Sequence, residues 1–119
     1  MSASTISHGS CHCGAVRYEV DGAPTKVMEC NCSHCQRKGF LLWFVPRTAL
    51  RVTSGEEGLS AYTFNKHAIG HRFCPTCGVQ PFALGNMPDG SETAAINIRT
   101  LEGIDIDTIP RKPVDGRSF

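Results

Sequence analysis

Seven cysteines fall into three groups along a chain of 119 residues: Cys11 and Cys13 in "CHCGAV", Cys30, Cys32 and Cys35 in "CNCSHCQRKG", and Cys74 and Cys77 in "FCPTCGV". Seven is odd, so complete disulfide pairing does not account for them. The N-terminal "MSASTISHGS" has no basic start and no apolar stretch, and so does not read as a secretory leader. The expected compartment is the cytoplasm, where clustered thiols serve more often as metal ligands or redox groups than as staples. A Cys-Pro-x-Cys-Gly turn aims both sulfurs at one point, its backbone N–H groups can donate to thiolates, and Gly78 supplies the positive φ the turn needs. Cys11 and Cys13 read as residues i and i+2 of an extended segment, so both can reach one ion. Together the two pairs predict a closed four-thiolate site, Cys11, Cys13, Cys74 and Cys77, of the kind zinc uses for structure. Thiolates also suit rubredoxin-type iron or an iron–sulfur cluster; zinc is preferred because nothing else in the sequence suggests electron transfer. A redox C-x-x-C would open a helix beside a βαβ pattern, which is absent.

Cys30, Cys32 and Cys35 then stand as three ligands without a fourth cysteine. Three protein ligands and an open position describe a catalytic rather than a structural zinc. Three thiolates outweigh the charge of a zinc ion, so such a site is a poor generator of hydroxide. It is better suited to holding an incoming thiol as thiolate, the nucleophilic form. Cys30, Cys32 and Cys35 are the expected catalytic residues as well as expected ligands. An empty or redox-active triplet is the remaining possibility for these thiols.

A histidine could close the three-cysteine site. His12 and His34 each lie between two cysteines and are expected to point away from the metal. His67 and His71 are four apart, but in a stretch that reads as strand, where the helical His-x-x-x-His geometry does not apply. Each is expected to be a surface histidine; His71 comes first if one is a ligand. Arg37, Lys38 and Arg72 could bind substrate carboxylates but read as solvated charges. Phe40, Trp43 and Phe44 could line a pocket but read as core. Asn65, His67 and His71 are candidate general acids, none of which stands out.

The elements that must position these residues are short. "GAVRYEV", "TKVMEC", "FLLWFVP", "LRVTS", "LSAYTFN" and "TAAINIRTL" read as strands, broken by turn signals such as "DGAP" and "SGEEG". "SHCQRKG" reads as one helical turn with Ser33 as its cap and Gly39 as its stop. The pair Cys74 and Cys77 falls between "HAIGHRF" and "VQPFALG", at a hairpin tip. The tail from Glu102 is turn-rich with one short extended piece. Twelve glycines and seven prolines support many turns and few long helices. The prediction is one all-β domain over residues 1–119, with residues 1–7 a flexible tail. A formal charge of +1 gives no electrostatic case for nucleic acid or a membrane surface. No apolar run approaches the roughly 18 to 20 residues of a spanning helix.

"GSCHCGAV", "CNCSHCQRKGF" and "RFCPTCGVQPF", in this order and at these separations, resemble the family of the glutathione-dependent formaldehyde-activating enzyme (GFA), and the closing "PVDGRSF" is similar to its C-terminal signature. The resemblance covers roughly residues 8 to 119. It implies a β-tent of the Mss4-like type, small antiparallel sheets organised around zinc. It also implies a structural zinc on Cys11, Cys13, Cys74 and Cys77, and a second zinc on Cys30, Cys32 and Cys35 to which glutathione is proposed to bind. The implied reaction joins the glutathione thiol to formaldehyde, and in reverse is that of a carbon–sulfur lyase. Three departures stand out: the chain is shorter than the glutathione enzyme, Gln36 stands where many relatives carry arginine, and Val79 where a small polar residue is usual. The expected function is a zinc-dependent carbon–sulfur lyase acting on adducts of a thiol such as glutathione with a small aldehyde. The alternative is a non-catalytic, zinc-stabilised binding or scaffold domain.

Overall fold

A computed structural model describes residues 5–63, 69–86 and 89–115. Among them the backbone forms ten strands and one α-helix: β1 (Ile6–Ser10), β2 (Arg17–Asp21), β3 (Val27–Cys30), α1 (Ser33–Lys38), β4 (Leu42–Pro46), β5 (Leu50–Ser54), β6 (Ser60–Tyr62), β7 (Ile69–Phe73), β8 (Phe82–Asn86), β9 (Glu92–Asn97) and β10 (Arg111–Val114). Four single 3-10 turns link them. The architecture is all-β, in two sheets: β1-β2-β5, and β10-β3-β4-β9-β8-β7-β6.

β2 shows how sequence alternation becomes burial. Tyr18 and Val20 point inward and are buried, while Arg17 and Asp21 face water. Behind Tyr18 the backbone of β1 comes so close that Gly9 has no room for a Cβ against the phenol ring. The phenol reaches the hydroxyl of Thr100. Tyr18, Val20 and Leu50 from the small sheet meet Val45, Phe82, Ala94 and Ile96 from the large one, and this apolar layer is the main core.

β9 does not alternate, because both of its faces are covered. Ala94 and Ile96 face the main core, while Ala95 belongs to a second cluster with Cys35, Phe40, Leu42 and Ala83. The large sheet therefore has an inner face on the small sheet and an outer face under α1.

Several expectations need correction. β2 starts at Arg17 and not Gly14, because residues 11–16 are committed to a turn. β1 was not expected at all; Ile6 and Ser7 pair with Asp21 and Val20, so the flexible tail does not extend to residue 7. Residues 1–4 lie outside the described residues. The extended piece of the tail is β10, which pairs with β3 in parallel, whereas the other strand pairs among the described residues are antiparallel.

Candidate metal centres

The four-sulfur group forms where the loops after β1 and β7 meet. Cys11 and Cys13 do not lie on an extended segment. They sit in a turn closed by Gly14 N donating to Cys11 O at 3.3 Å and Cys11 N donating to Val16 O at 3.1 Å. The turn, not strand alternation, brings the sulfurs together. Gly14 takes φ 82°, and Gly78 repeats this after Cys77 with φ 80°, a conformation that penalises any side chain. Gly78 N donates to Cys74 O at 2.8 Å, and Cys74 N to Val79 O at 3.0 Å, closing the second turn at the tip of the β7–β8 hairpin.

The Cys11–Cys13 and Cys13–Cys74 sulfur separations are both 3.7 Å, and all four sulfurs lie within 4.8 Å of one another. A tetrahedral ion with bonds of about 2.3 Å to sulfur sets its ligands about 3.8 Å apart. The geometry therefore fits zinc. Donation from the N–H of Val79, and then of Cys13, lowers the Cys77 thiol to about 6. The N–H of Cys77 lowers Cys74 in the same way. Cys13 is pulled down by the N–H of Ala15, but burial and the thiols of Cys11, Cys74 and Cys77 leave it raised to about 11. One thiol of the set thus gives up its proton well below another.

The three-sulfur group lies on the outer face of the large sheet. Cys30 ends β3, and Cys32 precedes α1. The N-cap is Cys32 rather than Ser33: Cys35 N donates to Cys32 Sγ at 3.3 Å, so the capping acceptor is a sulfur. Cys32 N donates to Cys30 Sγ at 3.4 Å. Gly39 ends the helix at φ 70°, as expected. The three sulfurs lie within 4.8 Å of one another and could hold a metal ion. Among the described residues no histidine, aspartate or glutamate joins either sulfur group. All seven cysteines are free thiols. Burial opposes ionisation of Cys32, yet the N–H of Cys35 and its neighbours carries the thiol below its ordinary value. Burial, then Cys32, pushes Cys35 the other way.

Strand register defines the surroundings. Phe44 is opposite Ala95, Ala95 opposite Ala83, Ala83 opposite His71, and His71 opposite Tyr62. Paired residues share a face, so these five form one row across the outer face. Ala83 and Ala95 floor the three-sulfur group. Phe44 stands at one end of the row and Tyr62 at the other, each 49% exposed. Phe44 is thus not core, unlike Phe40, which is buried, and Trp43, which packs on the main core.

His34 and His71 meet beside the cysteines with ring centroids 4.1 Å apart, and His34 also packs on Phe40 and Tyr62. Neither is a surface histidine as expected. His71 is buried, and Gln80 Nε2 lies 3.1 Å from its Nδ1. An amide NH₂ only donates, so the neutral ring carries its proton on Nε2. Burial, then His34 and Lys38, lowers His71 to about 4; burial, then Lys38, lowers His34. Gln80 is itself buried, and its main-chain carbonyl oxygen accepts from Asn97 Nδ2 at 2.9 Å. Sequence reasoning missed Gln80 and Tyr62; the polar residue inside the apolar "VQPFAL" was the available signal for Gln80. His12 and Lys38 are exposed, and Arg37 is exposed with its guanidinium on Ser33 O at 3.0 Å. Arg72 points to the opposite face from His71. Asn65 and His67 lie outside the described residues.

An all-β domain that gathers four cysteines at one end and three on a sheet face defines a class of cysteine-rich β domain whose sulfur groups could hold metal ions. The family model of the glutathione-dependent formaldehyde-activating enzyme matches residues 6–112. The chain belongs to that family. Among solved structures it is similar to the crystal structure of a Rhodobacter sphaeroides protein, with 32% identity and a TM-score of 0.75, covering 88% of this chain and 99% of that one. No helix among the described residues is long and apolar enough to cross a membrane.

Proposed function

We propose that the chain is a zinc-dependent carbon–sulfur lyase that interconverts a thiol such as glutathione, a small aldehyde such as formaldehyde, and their hydroxymethyl thioether. The observation that carries this reading is the group of three sulfurs, without other protein donors among the described residues, in a member of this family. Cys11, Cys13, Cys74 and Cys77 serve as structural ligands, and Cys30, Cys32 and Cys35 as the ligands at the reacting centre. When bound there, zinc would stabilise a substrate thiol in its thiolate form.

The chain's own residues account for the rest. Backbone N–H groups of Cys32 and Cys35 hold the sulfurs of Cys30 and Cys32 in place, and the Cys35 N–H favours the ionised form of Cys32. In the forward direction a carbon–sulfur bond forms as the carbonyl π bond opens, and the thiol proton ends on the former carbonyl oxygen. Lyase cleavage is the reverse. His71, neutral and fixed by Gln80, supplies an Nε2–H donor on the same face, suited to a developing alkoxide. Phe44 and Tyr62 provide exposed apolar surface at either end of the row. Seven free thiols are consistent with a reducing compartment, and the cytoplasm is the proposed location.

The test is exchange NMR of glutathione with formaldehyde, with and without zinc-loaded protein. The wild-type chain should accelerate exchange above the uncatalysed rate, and Cys32→Ser should return it to that rate. If wild type and Cys32→Ser give identical exchange, the lyase reading fails and the scaffold alternative replaces it.

A further inference from the structure

Arg72 lies beside His71 in β7 but projects to the opposite side of the sheet, sharing its face with Ala61 and Phe82. Its Nε–H is buried and meets no acceptor. No carboxylate of the described residues forms an ion pair with it. Leaving a buried, charged donor unsatisfied is costly, and such a group in a native protein calls for an explanation, a bound water, ion or ligand among them. The position of the guanidinium depends on Gly70: a Cβ there would come within 3.2 Å of Arg72 Nε and 3.4 Å of Nη2. Gly70 thus lets the side chain lie along its own strand.

A cleft of about 360 Å³ opens at this place, within the size range of small-ligand sites. Arg47 lines it together with Arg72, and Glu92, Asn86 and Thr93 close it from β8 and β9. Arg47 is held by the carbonyl of Leu50 at 2.9 Å and by Glu56 at 3.5 Å. Arg47 is thus already paired, and Arg72 is the guanidinium of the lining that no carboxylate of the described residues partners, with Glu92 the one carboxylate of the lining. So small a positive excess favours a singly charged anion over a dianion such as phosphate, which Glu92 would repel. The planar fork of a guanidinium matches a carboxylate.

We infer that the cleft between Arg47 and Arg72 is a binding site for a small organic carboxylate, separate from the three-cysteine centre. The Arg72 fork is the principal contact and Arg47 the second charge. The site requires neither the metal nor the reaction proposed above.

The experiment follows the Arg72 Nε–H resonance of ¹⁵N-labelled, zinc-loaded protein during titration with sodium propionate, with sodium chloride as the ionic-strength control. A saturable downfield shift is expected with propionate, with a dissociation constant on the order of millimolar, and none with chloride. Arg72→Lys keeps the charge but loses the fork, and calorimetry should then show propionate binding about tenfold or more weaker. Gly70→Ala, which displaces the guanidinium without removing it, should weaken binding, and Glu92→Gln should tighten it. Equal responses to propionate and chloride would overturn the inference, as would unchanged affinity in Arg72→Lys. Inorganic phosphate saturating the resonance more tightly than propionate would overturn the carboxylate assignment. If Arg72→Lys fails to fold, the wild-type resonance and Glu92→Gln still decide the matter.

Discussion

His34 and His71 stand with ring centroids 4.1 Å apart, one carried by the helix between two cysteines and the other by β7. Two imidazoles this close cannot both be charged without strong repulsion. Burial, then His34 and Lys38, keeps His71 neutral down to about 4, whereas in an unfolded chain the same ring protonates near about 6.5. Between those values the unfolded chain binds more protons. This group's contribution to stability is therefore complete above about 6.5 and is lost as the pH falls toward 4. Urea midpoints of zinc-loaded wild type and His71→Gln at pH 7 and pH 5 measure the difference. The wild type should lose more stability than the variant on acidification; equal losses would show that His71 is not held neutral by the fold.

The two sulfur groups should fail differently. Structural zinc supplies on the order of 10 kcal/mol of folding free energy at neutral pH, comparable to the whole stability of a domain, roughly 5–15 kcal/mol. Cys74→Ser is expected to abolish the cooperative thermal transition. Cys32→Ser should stay folded, bind one zinc fewer by elemental analysis, and lose lyase exchange. A folded Cys74→Ser with undiminished metal content would contradict the assignment of that group.

Gln80 joins β7 to β9 through His71 and Asn97. Gln80→Leu leaves the buried Nδ1 of His71 without this donor and should cost about 1–3 kcal/mol. It should also free the ring to exchange tautomers, visible in its ¹⁵N shifts. Retention of the Nε2–H tautomer in the variant would mean that something other than Gln80 sets it.

Gly9→Ala places a methyl group against the ring of Tyr18, which is fixed from the other side by Thr100. Overpacking of this kind should cost about 1–3 kcal/mol, read as a lower denaturant midpoint with an unchanged slope. Combining it with Tyr18→Phe should not relieve the cost, because the clash involves ring carbons as well as the hydroxyl. A neutral Gly9→Ala would show that β1 can slide away from β2.

The cysteine pattern made both sulfur groups legible, because thiols, glycines and spacing act locally. Gly14, Gly39 and Gly78 take the left-handed conformations their places demanded. The surroundings of the triplet were less legible. His71 and Arg72 are adjacent in sequence and serve opposite faces, a separation that depends on strand phase. Phe44 resembles its apolar neighbours in "FLLWFV" but lies where the outer face is uncovered, which only the order of strands reveals. Cys32 as a cap was missed because a sulfur is not the usual acceptor at a helix start. β10 was hard to locate because its partner is β3, at the far end of the sequence.

That last pairing has a consequence for how the protein comes into being. Val114 stands opposite Cys30, Asn31 N donates to Val114 O at 3.1 Å, and Asn31 Nδ2 reaches Asp115 across 84 positions of chain. Every cysteine of the four-sulfur group has been synthesised once residue 77 is made. The edge that steadies Cys30 arrives only with residues 111–115. A nascent chain can therefore bring the four sulfurs together before the strand that flanks Cys30 has been made. The order of synthesis thus completes the surroundings of the three-sulfur group after the four-sulfur group already has all its ligand residues.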